Sequence, residues 1–201
     1  MPIRPGEDWG VEVTTPPANA VVAATDREIA DCLLAGCPVI VRGGSLHSSL
    51  GSPTGELISR ELSVDLLEIL DQSSGERLGV AVSNVLIRRR GILGVLRGRI
   101  LLASNCGEFN GVSACPRAHP NDGHVDVLEV DHSMSMRQRR QAFRKAMSGS
   151  HLPHPALKAR AVESIDVRVH ANEEIVADGA VISAVGSISI AVCADAGTIF
   201  I

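Results

Sequence analysis

The chain has 201 residues, 45% of them hydrophobic, and a formal net charge of −4. That length buries one substantial core, with a small appendage at most, and the slight acidity excludes nucleic-acid binding held by bulk positive charge, so any basic surface is local. Aromatic residues make up 2%, with Trp9 the single tryptophan and no tyrosine, which leaves few rings for stacking bases and a core built of Val, Ile, Leu and Ala.

Five cysteines without CxxC spacing, and an opening MPIRPGEDWG without the basic-then-apolar form of a secretory signal, predict reduced thiols and a cytoplasmic location. The longest nearly apolar run, VISAVGSISIAVC, is 13 residues, short of the ~20 that a spanning helix needs. Peripheral attachment to a membrane remains compatible with both features.

In chain order, VEVTT and ANAVVAA read as short strands. DREIADCLLAG follows as a helix, with Ile29, Leu33 and Leu34 on one face, Asp26 as its expected N-cap and Gly36 as its stop. CPVIVRGG returns as a buried strand, and SLHSSLGSP is a short helical turn broken by Gly51 and Pro53. From there the pattern is β: ELSVDLLEI, ERLGVAVSNVLI, GRILLASNC, HVDVLEV, SIDVRVH, EEIVADGAVISAV and SISIAVC are separated by Gly, Ser, Asn and Asp turn signals. One helix interrupts them at about 135–148, SMRQRRQAFRKAMS, with Met136, Phe143 and Met147 as its expected apolar stripe and Arg137, Arg139, Arg140, Arg144 and Lys145 on the rest. The predicted fold is α+β and mostly β: a reduced α/β segment over 1–53, then an antiparallel β-sandwich over 54–201.

Several stretches carry candidate chemistry. Pro120-Asn121-Asp122-Gly123 is a turn signal, and in the strand that follows Asp126 shares a face with Leu128 and Val130. An inward carboxylate there requires donors or a cation, so either an Asp-to-turn network or a hard-cation site with Asp122 satisfies it. A zinc or iron site from His119, His124, His151 and His154 is a third reading, although Pro153 and Pro155 break the helix that would set an HxxH pair on one face.

Residues 88–99, RRRGILGVLRGR, place Arg88, Arg89, Arg90, Arg97 and Arg99 around an apolar centre. With the basic helix they form either an anionic-lipid or phosphate-binding face or two separate solvated surfaces. VIVRGGSLHSSLG has the form strand, Gly43-Gly44, helix start, which either presents backbone N–H groups to an anion or is a plain corner. Asp178-Gly179 within EEIVADGAVISAV is a two-residue hairpin signal.

Taken together, NCGEFNGVSACPRAHPNDGHVDVLEV, the basic helix running into GSHLPHP, and IVADGAVI resemble the C-terminal half of the diacylglycerol kinase and YegS-like lipid kinase family, over roughly residues 60–195. The resemblance implies a β-sandwich that faces lipid and an α/β nucleotide domain, and ATP-dependent phosphorylation of a lipid hydroxyl with Asp178 as general base. It further implies a structural Mg²⁺ near Asn121, Asp122 and Asp126. The chain departs from the family pattern where relatives read G-G-D-G-T: AATDREIADCL stands there, followed by VIVRGGSLHSSLGSP, and Ala180 replaces the acidic residue after D-G. Segment 1–53 then reads as the remnant of a nucleotide-binding domain. The expectation is a domain that is non-catalytic alone or one half of a split kinase, using ATP only if a nucleotide domain is supplied on another chain. Expected partners are a lipid or anionic membrane surface, that nucleotide-domain protein and a second copy in a homodimer, with no nucleic acid. The alternatives are an anionic-lipid-binding accessory module and, third, an unrelated metal-dependent enzyme built on His119, His124, His151 and His154.

Overall fold

A computed structural model describes residues 9–52, 60–91 and 93–201. It begins with a small α/β unit: β1 (Val11–Glu12), β2 (Val21–Ala23), α1 (Asp26–Leu34), β3 (Val39–Val41) and α2 (Gly44–Ser49). Helix α1 forms as its periodicity predicts and buries Ile29, Ala30 and Leu33, but its N-cap is Thr25, one residue earlier than expected. The Thr25 side chain accepts from the Glu28 amide while the Glu28 carboxylate accepts from the Thr25 amide, a capping box. Asp26 is thereby released for another task.

Two long strands tie this unit to the rest: β4 (Arg60–Asp71) and β15 (Gly186–Phe200) pair antiparallel over most of their length. Their outer ends continue the α/β sheet, with β1 on β4 and β3 parallel to β15. Gly197 is required there, because a Cβ would lie 2.6 Å from the Leu33 side chain of α1. The inner ends carry β5 (Arg77–Ala81) on β4 and β12 (Ser164–Val169) on β15. The α/β layer thus takes two of its strands from beyond the boundary expected at 53/54, and residues 53–59 lie outside the described residues.

The inner half of this sheet stacks on a second, six-stranded antiparallel sheet of order β11 (Leu157–Val162), β10 (Val125–Val130), β7 (Ile100–Ser104), β6 (Asn84–Arg89), β13 (Glu173–Ala177) and β14 (Ala180–Ile182). Their alternating inward residues, among them Leu67, Ile69, Ile87, Val125, Val127 and Ile190, form the sandwich core. Strand β4 is buried on both faces, since Leu62, Val64 and Leu66 point to the helices of the α/β unit. The second sheet is also covered on its outer face. Leu86, Leu102 and Leu128 pack beneath the hairpin β8 (Glu108–Phe109) and β9 (Val112–Ser113) and beneath α3 (Met136–Ala146). The mostly-β sandwich with a small α/β preface is therefore the observed fold.

Four features differ from the sequence expectation. ERLGVAVSNVLI is two strands, β5 and β6, one in each sheet, because the chain crosses between the layers at Val82-Ser83. Strand β11 and the β8–β9 hairpin are additional elements. Helix α3 is rotated about its axis from the expected orientation: its buried residues are Arg139 and Ala146, and Met136, Phe143 and Met147 are exposed.

Candidate functional site

Where the α/β layer meets the sandwich, the chain buries a run of polar side chains: Asp65, Ser83, Asn84, Ser104, Asn105 and Asn121. Buried polar groups persist when they are hydrogen-bonded, and this seam divides into two carboxylate-centred clusters joined by Asn105. The Asn105 Nδ2 donates to the carbonyl of Asp65 at 2.9 Å and to that of Val82 at 3.0 Å.

Asp65 centres the first cluster. Its carboxylate accepts from Asn121 Nδ2 at 3.1 Å, from the Gly123 amide at 2.8 Å and from the Asp195 amide at 2.9 Å. These bonds fix the 120–123 turn to β4 and pin the irregularity of β15 between Cys193 and Gly197. Burial pushes the Asp65 carboxyl up while the three donors pull it down. The Asp-to-turn network expected around Asp126 thus exists with Asp65 at its centre, a residue hidden from the sequence reading inside the apolar run ELSVDLLEI.

Of the three residues expected to hold a metal, Asn121 has its side-chain amide committed to Asp65 and Asp195. Asp122 accepts the His124 amide at 3.0 Å. Asp126 lies half-buried on the outer face of β10, and burial together with the nearby Asp122 charge pushes its carboxyl up to about 6. Two mutually repelling carboxylates beside one turn are suited to a hard cation that keeps several waters. Among the described residues no three His, Cys, Asp or Glu side chains are grouped as metal ligands.

The histidines serve separately. His119 accepts the Asn121 amide through Nδ1 and stacks edge-on against Trp9 with centroids 4.6 Å apart; burial lowers its pKa. His124 Nδ1 meets the Asp122 carbonyl, His151 Nε2 meets the carbonyl of Ala114, and His154 Nδ1 accepts the Ala156 amide.

Asp178 centres the second cluster. It occupies the two-residue turn joining β13 and β14, with φ of 45° followed by 86° at Gly179, the left-handed pair such a hairpin requires. Its carboxylate accepts the amides of Val82 at 2.6 Å, Ser83 at 3.2 Å and Asn84 at 2.8 Å, so it clamps the crossover between the two sheets. Burial, reinforced by the charge of Asp26, pushes this carboxyl up to about 7 against the pull of those amides.

Asp26 explains what became of Gly43 and Gly44. Gly44, at φ of 90°, begins α2, and the Asp26 carboxylate accepts the amides of Ser45 at 2.7 Å and Leu46 at 3.0 Å. A Cβ on Gly44 would lie 2.3 Å from Asp26 Oδ1, and one on Gly43 would lie 2.3 Å from the Ala24 carbonyl. The glycines admit a close approach, and what approaches is the chain's own carboxylate and backbone.

The arginines of 88–99 split by role. Arg88 pairs with Glu174 at 3.0 Å, Arg99 pairs with Glu173 at 2.9 Å, and Arg90 Nε donates to the Glu173 carbonyl. Arg89 and Arg97 are exposed and in no ion pair among the described residues. On α3, Arg139 is buried and donates to the carbonyls of Met134, Val95, Asp131 and Gly98, which fastens the loop around Val95 to the helix. The remaining basic residues of α3 are exposed.

Two antiparallel sheets, capped at one end by an α/β layer and locked there by carboxylates, define a β-sandwich domain fused to a reduced α/β unit. Over residues 83–196, more than half of its length, the chain matches the family described as the YegS C-terminal NAD kinase beta sandwich-like domain, and it belongs to that family. Sequence comparison with curated proteins gives no match. Among solved structures it is similar to a protein of Bacillus anthracis str. Sterne assigned as a diacylglycerol kinase, with a TM-score of 0.65 at 13% identity over 90% of this chain and 77% of that one. A second diacylglycerol kinase structure from the same organism gives 0.61 at 13% identity over 90% and 75%.

Proposed function

We propose that this chain is a membrane-docking module of the lipid-kinase family that binds an anionic lipid surface and does not itself transfer phosphate. The observation that carries the reading is the outward face of α3. Met136, Phe143 and Met147 are 44%, 57% and 68% exposed, and at spacings of seven and four residues they form one stripe. Arg137, Arg140 and Arg144, all exposed, lie along one side of it. A helix that buries Arg139 and exposes Phe143 is oriented for an apolar phase edged by negative charge. Leu93 and Val95, exposed on the loop that Arg139 fastens, extend the apolar area, and Arg89 and Arg97 add charge beside it.

The same reading accounts for the α/β unit. Phosphoryl transfer rests on positioning and on donors aimed at phosphate oxygens. At the start of α2 those donors are taken by Asp26, and a second carboxylate, Asp178, stands close enough to feel its charge. In this reading ATP enters only with a nucleotide domain on another polypeptide, where Asp178 would face the lipid hydroxyl. Mg²⁺, held by Asp122 and Asp126, would brace the 120–126 turn and supply no chemistry.

Co-sedimentation with vesicles tests the proposal. Binding to phosphatidylglycerol vesicles, weakening steeply as salt rises from ~0.05 to ~0.3 M, is the expected result, and equal binding to neutral phosphatidylcholine vesicles would overturn it.

A further inference from the structure

The five cysteines are unpaired and differ in what surrounds them. Cys106 and Cys115 are buried, and burial pushes both thiols up, that of Cys106 to about 12, so neither is open to a soluble reagent in the folded chain. Cys193 is exposed and is the single cysteine of β15. Cys32 and Cys37 are different. Both are partly exposed, both belong to the α/β unit, and neither the membrane face nor the carboxylate clusters make use of them.

The way α1 ends brings these two together. Gly36 takes the left-handed conformation, with φ of 72°, and turns the chain back over the last helical turn. Its amide donates to the Leu33 carbonyl at 2.9 Å, and the next amide, that of Cys37, donates to the Cys32 carbonyl at 3.0 Å. The two bonds make a Schellman motif, in which the residues joined by the longer bond, here Cys32 and Cys37, bring their side chains into contact. One N–H···O bond of this length holds the two Cα atoms ~5–6 Å apart, the separation at which most disulfides form. The Cys37 thiol lies back toward the helix, donating weakly to the Ala35 carbonyl at 3.9 Å, while Cys32 packs against the core beneath α1. Burial, and next the charge of Cys37, push the Cys32 thiol up, so each thiol senses the other.

We propose that Cys32 and Cys37 are a thiol–disulfide modification site, oxidised by a low-molecular-weight disulfide to an intramolecular bridge that closes the C-terminal end of α1. The Cys37 thiolate attacks one sulfur of the reagent, forming a mixed disulfide and expelling the first reagent thiolate. The Cys32 thiolate then attacks the Cys37 sulfur, forming the bridge and expelling the second. Two cysteine thiols are oxidised, the reagent disulfide is reduced to two thiols, and the two cysteine protons end on them. Cys37 acts first because Cys32 is held against the core, and Cys32 completes the exchange because the turn already holds it beside its partner. The bridge adds a covalent bond across a turn that two hydrogen bonds already define, so it requires no rearrangement of α1 or β3.

Redox titration of the full chain tests the site. The chain, carrying Cys193→Ser to prevent bridging between molecules, is equilibrated with mixtures of glutathione and glutathione disulfide, quenched with acid and cut with trypsin. Residues 28–42 form one tryptic peptide that contains both cysteines. That peptide is expected to lose two hydrogens, at an effective thiol concentration roughly tenfold higher in the folded chain than in concentrated urea. By linkage the same tenfold stabilises the oxidised fold by about 1.4 kcal/mol, read as a higher melting temperature that dithiothreitol reverses. Cys32→Ser should instead carry glutathione on Cys37. Cys37→Ala/Pro38→Cys, which moves one thiol a residue out of the turn, should bring the effective concentration down to its value in urea. A peptide that stays reduced in the folded chain while it oxidises in urea, equal effective concentrations in the two states, or a shifted variant that matches the Cys32–Cys37 pair would overturn the proposal.

Discussion

The Asp26 carboxylate accepts the Ser45 amide at 2.7 Å and the Leu46 amide at 3.0 Å, so the first turn of α2 is closed by a side chain from the start of α1. The contact joins two elements nineteen residues apart and replaces by an internal anion what a helix start could offer to an external one. Asp26→Ala should lower stability by about 1–2 kcal/mol, the usual cost of a lost cap, read as a shift of the denaturant midpoint at unchanged slope. No shift would mean that α2 is held by Leu46 packing alone.

How far the sequence led can be seen at this contact. Periodicity located α1 and Gly36 marked its end, but two adjacent residues, Thr25 and Asp26, are both good caps, and the capping box with Glu28 decides between them. The destination of Asp26 is set by tertiary folding and has no local signal. The same holds for the crossover at Val82–Asn84: its amides are satisfied by Asp178, about ninety-five residues later, and without that knowledge ERLGVAVSNVLI reads as one strand. On α3 the apolar residues were legible and their direction was not. Arg139 is buried because four backbone carbonyls from two segments, 95–98 and 131–134, converge on it, and no helical period records such an arrangement. The edge strand β11 exposes four consecutive residues and shows no alternation. By contrast, the Asp178-Gly179 hairpin was readable outright, because its φ values demand a short list of residue types.

Asp65 should be the costliest single polar residue to lose. Asp65→Ala removes one of the two acceptors of the Asn121 side-chain amide and leaves the backbone amides of Gly123 and Asp195 without theirs, and a loss of about 3 kcal/mol is expected. Hydrogen exchange should localise the loosening to 119–124 and 193–197. Uniform protection across the variant would contradict the role assigned to Asp65.

Arg139 gives a sharper test of orientation. Arg139→Leu leaves the carbonyls of Met134, Val95, Asp131 and Gly98 without their shared donor, costing about 3 kcal/mol. Arg139→Lys should not restore stability, because one ammonium lacks the planar fork that reaches several acceptors. Limited proteolysis within 93–98 should accelerate in both variants.

The pH dependence follows from Asp178 and Asp126. Folding raises their carboxyls from the ordinary 3.8 to about 7 and about 6, so the folded protein holds protons that the unfolded chain has released. Each residue's contribution to stability is full below the unfolded value, declines as pH rises toward the folded value and is level above it. The stability of wild type relative to Asp178→Asn should therefore fall between about pH 4 and 7 and then stay constant. A difference that instead grew with pH would show that the three amides outweigh burial at Asp178. Carboxyl resonances followed by nuclear magnetic resonance should place the Asp126 titration near 6, and lower in the presence of magnesium if Asp122 and Asp126 hold the cation.

The central claim, that the outward stripe of α3 enters an anionic bilayer, is tested most directly by moving the only tryptophan onto it. In a Trp9→Phe background, Phe143→Trp should show blue-shifted emission with phosphatidylglycerol vesicles and quenching by lipids brominated on their acyl chains, both reversed by high salt. Emission that stays at its aqueous maximum and escapes bromine quenching, while the protein is folded and the vesicles are in excess, would contradict the account.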